Sequence, residues 1–425
     1  MGGDHIMIKT LVIAPLFTRS GYGEHGRFII NALNSRPDIF DLHAHPIHWG
    51  QSSWISTNDQ NIKLYESLVV KKELAQGEYD LIVLVTIPSE WESYAGAFPS
   101  KCKIGVTAGI ETDKIPVSWI GPANAMDHII FTSTHSQSGF TKVRFKLKSE
   151  HSDEVIERVG ISTPSEVVGS PVKSVIPSDL KDKISLDTDF NFLTISQISP
   201  RKGVEPLLHW FMEEFHNESV GLVAKIHHGN NSNFDREMLK KQLFLPLKQK
   251  FPESKCKIHW IHGSMSEEEV HGLYVHPKIH AYVSTTHGEG FGLPIFEAAY
   301  SGLPVSATAW SGHLDFLKMP HGEKKRDMYE RIRCTIKEIG EDAVMDNILF
   351  PDMKWAHCDL DATKKAMRNM VNAHKAKINI AKKLQGYLQE TFSENNQFEK
   401  ICNSCVEVYK DKNAWVADTE NIRIV

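Results

Sequence analysis

His287-Gly288-Glu289-Gly290-Phe291-Gly292-Leu293-Pro294-Ile295-Phe296-Glu297 joins a glycine-rich turn to the start of a helix and sets one carboxylate on each side of the turn. Glycines at 288, 290 and 292 let the chain take left-handed conformations and approach a ligand closely, so that backbone N–H groups converge on an anion. Pro294 suits the first turn of a helix, and Ile295, Phe296, Ala298 and Ala299 carry that helix on. A diphosphate belongs where those amides and the positive end of the helix dipole both point. Glu289 and Glu297 would repel it. They are read as acceptors for sugar and ribose hydroxyls on either side, which makes the stretch a site for a nucleotide-sugar.

Around this stretch, apolar runs alternate with helical patterns from end to end, as they do where helices cover both faces of a parallel sheet. Strands are predicted at 9–16, 81–85, 104–106 and 128–131, with a glycine turn at 19–23 and a helix at 27–34 after the first. A second series begins at 190–195 and continues at 220–226, 257–261 and 281–283, with a helix at 204–215. Periodicity breaks between Ser165 and Asp187, where Pro164, Pro171 and Pro177 fall. The fold class is therefore α/β with two Rossmann-like halves, residues 1–178 and then the rest. Residues 318–352, rich in Lys, Arg and Glu, are read as an inserted helical segment.

Composition bounds the function classes. The 425 residues, 41% hydrophobic and 24% charged, suffice for two cores. The longest apolar run, residues 81–87, is far shorter than the roughly 20 residues that cross a bilayer. The N-terminus lacks a signal pattern and Met1 to Ile6 reads as a leader, so a cytoplasmic protein without a transmembrane segment is expected. Six cysteines without regular spacing describe no disulfide framework. A net charge of -5 argues against a surface built as a whole to bind polyanions and leaves local basic faces open.

Continued by Ala298-Ala299-Tyr300-Ser301-Gly302-Leu303-Pro304-Val305, the opening stretch resembles the E-x7-E signature of retaining glycosyltransferases of the GT-B fold, family 4 in particular. The resemblance implies two Rossmann-like domains facing a cleft, with the acceptor on the side of residues 1–178 and the donor in 179–407. It implies a hexosyl- or pentosyltransferase with a nucleoside-diphosphate sugar such as a UDP-sugar as co-substrate, and neither metal nor cofactor. Glu289 would hold the transferred sugar and Glu297 the ribose, with Gly288, Gly290, Phe291, Gly292 and Leu293 at the donor. Residues 359–370 and 387–409 resemble the family's closing helices, and 408–425 would return to the first domain. In Ser196-Gln197-Ile198-Ser199-Pro200-Arg201-Lys202-Gly203 the family has Gly-Arg at the start and Lys-Gly at the end, both cations gripping the diphosphate. Here Gln197 stands at the arginine's place, Lys202 keeps its own, and Arg201 is a substitute for the missing cation. A solvated basic turn is the plainer alternative.

Other stretches fall at predicted strand ends, where open parallel sheets bind ligands. Gly21, Tyr22 and Gly23 lie in a turn that touches donor phosphate or acceptor in related enzymes, or is a plain loop. Gly109-Ile110-Glu111-Thr112-Asp113-Lys114-Ile115-Pro116 with Trp119 resembles an E-T-D-x-x-P-x-x-W segment of some family members. Glu111 and Asp113 could orient or deprotonate an acceptor hydroxyl, or Thr112 and Asp113 could cap the next helix. Gly312-His313 replaces the family's Gly-Gly, making His313 an acceptor-side candidate or a surface histidine. Residues 141–148 alternate cation and apolar, placing Lys142, Arg144, Lys146 and Lys148 on one face of a strand, either a solvated edge or a phosphate-tracking face. Cys402 and Cys405 read as a buried helix face, and the D-x-D of Asp359 and Asp361 as chance.

Residues 20–27, 109–119 and 310–317 together resemble glycosyltransferases encoded by tailed phages. That makes a hydroxymethylated base in phage DNA a candidate acceptor and double-stranded DNA a candidate partner, contacted through 141–148, 322–333 and 364–383. A cell-surface or lipid-linked glycan competes as acceptor, and the missing arginine at Gln197 also permits a catalytically silent sugar-binding module.

Overall fold

In a computed structural model, residues 7–50, 52–55, 61–70, 78–148, 155–229 and 231–420 are described. The leader expected at 1–6 lies outside them. The chain forms two compact units. The first comprises the chain up to Ile110, Lys114–Pro171 and everything from Glu394 on; the second comprises Glu111–Asp113 and Val172–Ser393. The division thus falls at 171 and 394, against 178 and 407 in the sequence reading.

The first unit carries β1 (Ile8–Ala14), β2 (Phe40–Pro46), β3 (Tyr79–Val85), β4 (Ser100–Thr107), β5 (His128–Phe131), the hairpin β6 (Phe145–Lys148) and β7 (Val155–Val159), and β8 (Ser165–Val167). Six of them make one parallel sheet in the order β2-β1-β3-β4-β5-β8. In β1 and β3 all but one residue is buried, as expected of strands covered on both faces. The edge strand β2 went unread, because its Phe-Asp-Leu-His-Ala-His-Pro mixes polar and apolar residues and is only partly buried. The helix Gly21–Asn34 begins six residues earlier than predicted. Ser20 caps it, accepting from the Gly23 N–H at 3.0 Å, so the glycines are helix and not turn. The last helix, Glu394–Glu420, packs Ile401, Cys402 and Cys405 into this unit's core, and Cys402 Sγ donates to the Ala32 carbonyl at 3.2 Å.

The cation alternation at 141–148 does not become one strand face. Lys142 ends the helix Thr134–Thr141 in a helical conformation, and the strand begins only at Phe145. Arg144 folds back, its Nη1 donating to the carbonyls of Thr141 and Val143 at 2.6 and 2.7 Å.

The second unit carries β9 (Phe190–Gln197), β10 (Val220–His227), β11 (Lys257–Ile261), β12 (Ala281–Ser284), β13 (Val305–Thr308), the hairpin β14 (Lys318–His321) and β15 (Lys324–Asp327), β16 (Glu330–Ile332), and the pair β17 (Cys334–Glu338) and β18 (Lys354–Cys358). Its parallel sheet runs β11-β10-β9-β12-β13-β16. The helix Val204–Phe215 buries Val204, Leu207, Leu208, Phe211, Met212 and Phe215 at helical spacing against one sheet face. Leu293–Tyr300 covers the other face with Ile295, Phe296, Ala298 and Ala299. Residues 318–352 are not the helical insertion their composition suggested. They form strands, because they offer no apolar stripe of helical period and Gly322, at φ +59, turns β14 back on β15. The closing helical pattern is likewise broken, into Leu360–Asn372, His374–Thr391 and Glu394–Glu420, and Asp359 caps the first of these. No described helix is long and apolar enough to cross a membrane.

Candidate active site

In the second sheet the chain builds β9, then β10 and β11 outward on one side, then β12 and β13 on the other. The order reverses between β9 and β12, and a crevice at the carboxyl ends of such neighbours is where open α/β sheets hold ligands. The segment 198–203 leaves β9 at that point and the loop 285–292 leaves β12. They are tied together. The His287 N–H donates to the Arg201 carbonyl at 2.7 Å and Thr285 Oγ1 to the Gly203 carbonyl at 2.8 Å. Gly203 has φ +58, and a Cβ there would stand 2.6 Å from the Thr285 carbonyl oxygen, so only glycine lets the segments meet.

Four charged groups converge between them. Lys202 Nζ donates to Glu289 Oε1 at 2.6 Å, and Arg201 Nη1 reaches Glu289 Oε2 at 3.3 Å. Arg201 Nη2 pairs with Glu111 Oε1 at 3.1 Å, and Arg201 Nη1 also donates to the Gly288 carbonyl at 2.6 Å. Two cations thus face two carboxylates. Burial opposes ionisation of Glu289, but the ammonium of Lys202 and the guanidinium of Arg201 outweigh it and hold the carboxyl at about 2. Burial and the neighbouring Arg201 push Lys202 below the ordinary lysine range in spite of Glu289. Burial acts the same way on Arg201, where Glu111 and Glu289 more than offset it and raise the guanidinium.

The glycine loop is braced from behind. The Glu289 N–H donates to Ser311 Oγ at 2.9 Å, so this amide is not available to an anion as the sequence suggested. Ser311 Oγ lies 3.3 Å from His313 Nδ1, and His313 Nε2 donates to the Thr308 carbonyl at 2.7 Å. The imidazole is therefore the Nε2–H tautomer, and burial holds its pKa below the usual value. His313 is fully buried, which corrects its placement at an acceptor: it positions the loop. Gly312 passes so close that a Cβ would lie 2.0 Å from the Gly290 carbonyl oxygen. Of the three loop glycines only Gly292, at φ +97, uses the left-handed region. Gly288 serves close approach, since a Cβ would stand 2.5 Å from the Glu111 carbonyl oxygen. His287 stacks on Trp355 with centroids 5.0 Å apart, and its Nδ1 donates to the Ala356 carbonyl.

The remaining residues read from the sequence take other places. The Phe291 side chain is buried against Phe296 and Phe316 and anchors the loop in the core. Leu293 joins that core in part. Glu297 is half-buried one helical turn after Pro294 and accepts from Tyr274 Oη at 2.9 Å. Gln197 turns aside, donating to the His228 carbonyl at 2.8 Å. Asp113 and Lys354 exchange contacts through the Asp113 N–H and Oδ1, and Thr112 Oγ1 donates to Met353 Sδ. Neither caps the short helix Val117–Trp119, whose cap is Pro116. In the first unit Gly21, Tyr22 and Gly23 form the first turn of the helix behind Ser20, at the end of β1. Tyr22 Oη lies 2.8 Å from Thr107 Oγ1, a Cβ at Gly23 would strike the Thr18 carbonyl oxygen, and one at Gly21 would meet open space. Sequence reading missed Ser311, Thr308, Tyr274 and Trp355, residue types without a local signature. Among the described residues no cluster of His, Cys, Asp and Glu suits a metal.

No protein-family profile and no curated protein matches this sequence. Solved structures do match in fold. The Anabaena protein HepE, solved with UDP and glucose, is 13% identical and superposes over 94% of this chain and 100% of its own with a TM-score of 0.59. Sucrose-phosphate synthase from Thermosynechococcus elongatus is 14% identical over 96% and 99%, with a TM-score of 0.60. Trehalose-6-phosphate synthase, solved in work on glycosyl transfer with retention, is 11% identical over 94% and 99%, with a TM-score of 0.56. The two six-stranded parallel sheets are those of the GT-B fold with its two Rossmann-like domains.

Proposed function

We propose that this protein is a nucleotide-sugar glycosyltransferase, transferring a hexose or pentose from a UDP-type donor with retention at the anomeric carbon. The observation that carries the reading is the Lys202–Glu289–Arg201–Glu111 cluster at the strand ends where the second sheet's order reverses. HepE with its UDP and glucose supports a UDP-sugar, and trehalose-6-phosphate synthase supports retention. The bond from the anomeric carbon to the diphosphate breaks while one to the acceptor oxygen forms, and the acceptor hydroxyl's proton passes to the departing diphosphate. Lys202 and Arg201 meet the charge that builds on the leaving diphosphate, which gives the reaction no need of a metal. Glu289, ionised at neutral pH, accepts hydroxyls of the transferred sugar, and Glu297 those of the ribose. Glu111 holds Arg201 in place of the arginine absent at Gln197, a positioning task in place of the acceptor chemistry first considered.

For the acceptor we propose a hydroxymethylated base in double-stranded DNA, with the protein acting in a cytoplasm where its thiols stay reduced. The support is the hairpin β14–β15, where Lys324, Lys325 and Arg326 are exposed; Arg331 and Arg333 nearby pair with Asp327 and Asp359. The lysine-rich helices give less, since Lys364 pairs with Glu213, Lys377 with Glu330, and Arg368 with Glu214 and Glu218. The test is a mass shift on hydroxymethylcytosine DNA incubated with a panel of nucleotide-sugars. Donor hydrolysis without a DNA mass shift would move the acceptor to a glycan hydroxyl, and no turnover of any donor would leave a silent sugar-binding module.

A further inference from the structure

A cavity of about 710 Å³ lies within the second unit, lined in part by Ser199, Pro200, Gly203 and Val204. Neither Lys202 nor Glu289 lines it. It is lined by the outer face of the helix Val204–Phe215, by Asp342 and by Lys250. That volume is within the range of small-ligand sites, roughly 300–1,000 Å³. Trp210 stands half-exposed in it, and no described residue stacks on its indole or hydrogen-bonds to it. A large aromatic held open in a concave site is a platform for a flat apolar face.

The charges around Trp210 narrow the ligand. Glu205, Glu213 and Asp342 line the cavity, against one ammonium, Lys250, which Glu213 already faces at 3.7 Å. Glu213 also pairs with Lys364 at 2.8 Å, outside the cavity lining. A phosphate or a nucleic acid finds no net attraction here. Beside these acceptors stand the ring nitrogens of His209 and His228 and the Ser199 hydroxyl, which can donate, and His287 Nε2, which accepts. His209 Nδ1 is buried without a partner, and burial keeps His287 below the ordinary histidine range, hence neutral. A cationic amine uses acceptors alone, whereas sugar hydroxyls both donate and accept and the C–H face of a pyranose covers an indole.

We propose that this cavity is a binding site for a neutral oligosaccharide, stacked on Trp210 and separate from the donor site. It goes beyond the glycosyltransferase reading and stands without it, because its test reads binding alone. The cavity shares a wall with the donor loop, since Pro200 and His287 line it and the His287 N–H holds the Arg201 carbonyl.

The full chain, with and without saturating UDP, is titrated by calorimetry with maltotriose, cellotriose and chitotriose, and separately with spermidine and a short DNA duplex. At least one trisaccharide is expected to bind saturably and Trp210→Ala to weaken it about tenfold or more. Glu205→Gln, an exposed isosteric change, provides a second variant if Trp210→Ala melts early; it is expected to weaken the sugar as well. The proposal is overturned if no trisaccharide binds, if UDP competes with it, if both variants bind like wild type, or if spermidine or DNA occupies the cavity instead.

Discussion

Replacing Lys202 by Ala tests the charged cluster on two independent readouts. In the folded protein Glu289 is held at about 2 from an ordinary 4.5, a net difference worth about 3 kcal/mol in which burial opposes ionisation and pairing with Lys202 and Arg201 outweighs it. Lys202 is the nearer partner, at 2.6 Å against 3.3 Å for Arg201. Its loss should cost about 2 kcal/mol near neutral pH, less than a fully broken buried pair because Arg201 remains. The sign follows from the depressed carboxyl. Its contribution is complete above 4.5 and is lost as pH falls from there toward 2, so the gap between variant and wild type should narrow across that window. Urea unfolding near neutral pH and at about pH 3 measures this directly. Turnover should fall about a hundredfold, since a contact to the leaving diphosphate strengthens in the transition state. An equal stability gap at both pH values, or wild-type turnover, would refute the assignment.

Glu297→Ala should weaken nucleotide binding and lower the melting temperature modestly, as the buried Tyr274 hydroxyl loses this acceptor; unchanged affinity by calorimetry for every nucleotide that binds the wild type removes it from the ribose. Gln197→Arg breaks only the bond to the His228 carbonyl and adds a cation at the end of β9, so donor affinity should hold or rise, and a marked loss would show that no phosphate passes there. Gly312→Ala drives a Cβ to within 2.0 Å of the Gly290 carbonyl oxygen and should destabilise the protein by roughly 1–3 kcal/mol in chemical unfolding, a cost absent if the loop simply shifts.

The sequence by itself determined the elements that carry their own period or their own chemistry. The helix Val204–Phe215 was legible to its ends because its apolar residues repeat at helical spacing. Strands β5 and β11 were legible too, the first as a short apolar run and the second by its alternation of polar and apolar residues. Glu289 and Glu297 could be named because glycines, a proline and carboxylates stand at fixed offsets within one short stretch, and Lys202 because the separate segment 196–203 resembles its counterpart in the family. Only the tertiary structure decided what those groups face. Glu111 lies 90 positions from Arg201, and no pattern in either neighbourhood announces that they pair. The buried relay from Glu289 through Ser311 to His313 and Thr308 joins residues whose types occur throughout the chain. The insertion was misread for a related reason: composition limits how a segment meets water, whereas Gly322 and the pairing of β17 with β18 fix its strands. Local order is encoded by spacing along the chain. A charge or a tautomer is set by whatever the fold brings within about 4 Å, and that distance bears no relation to separation in sequence.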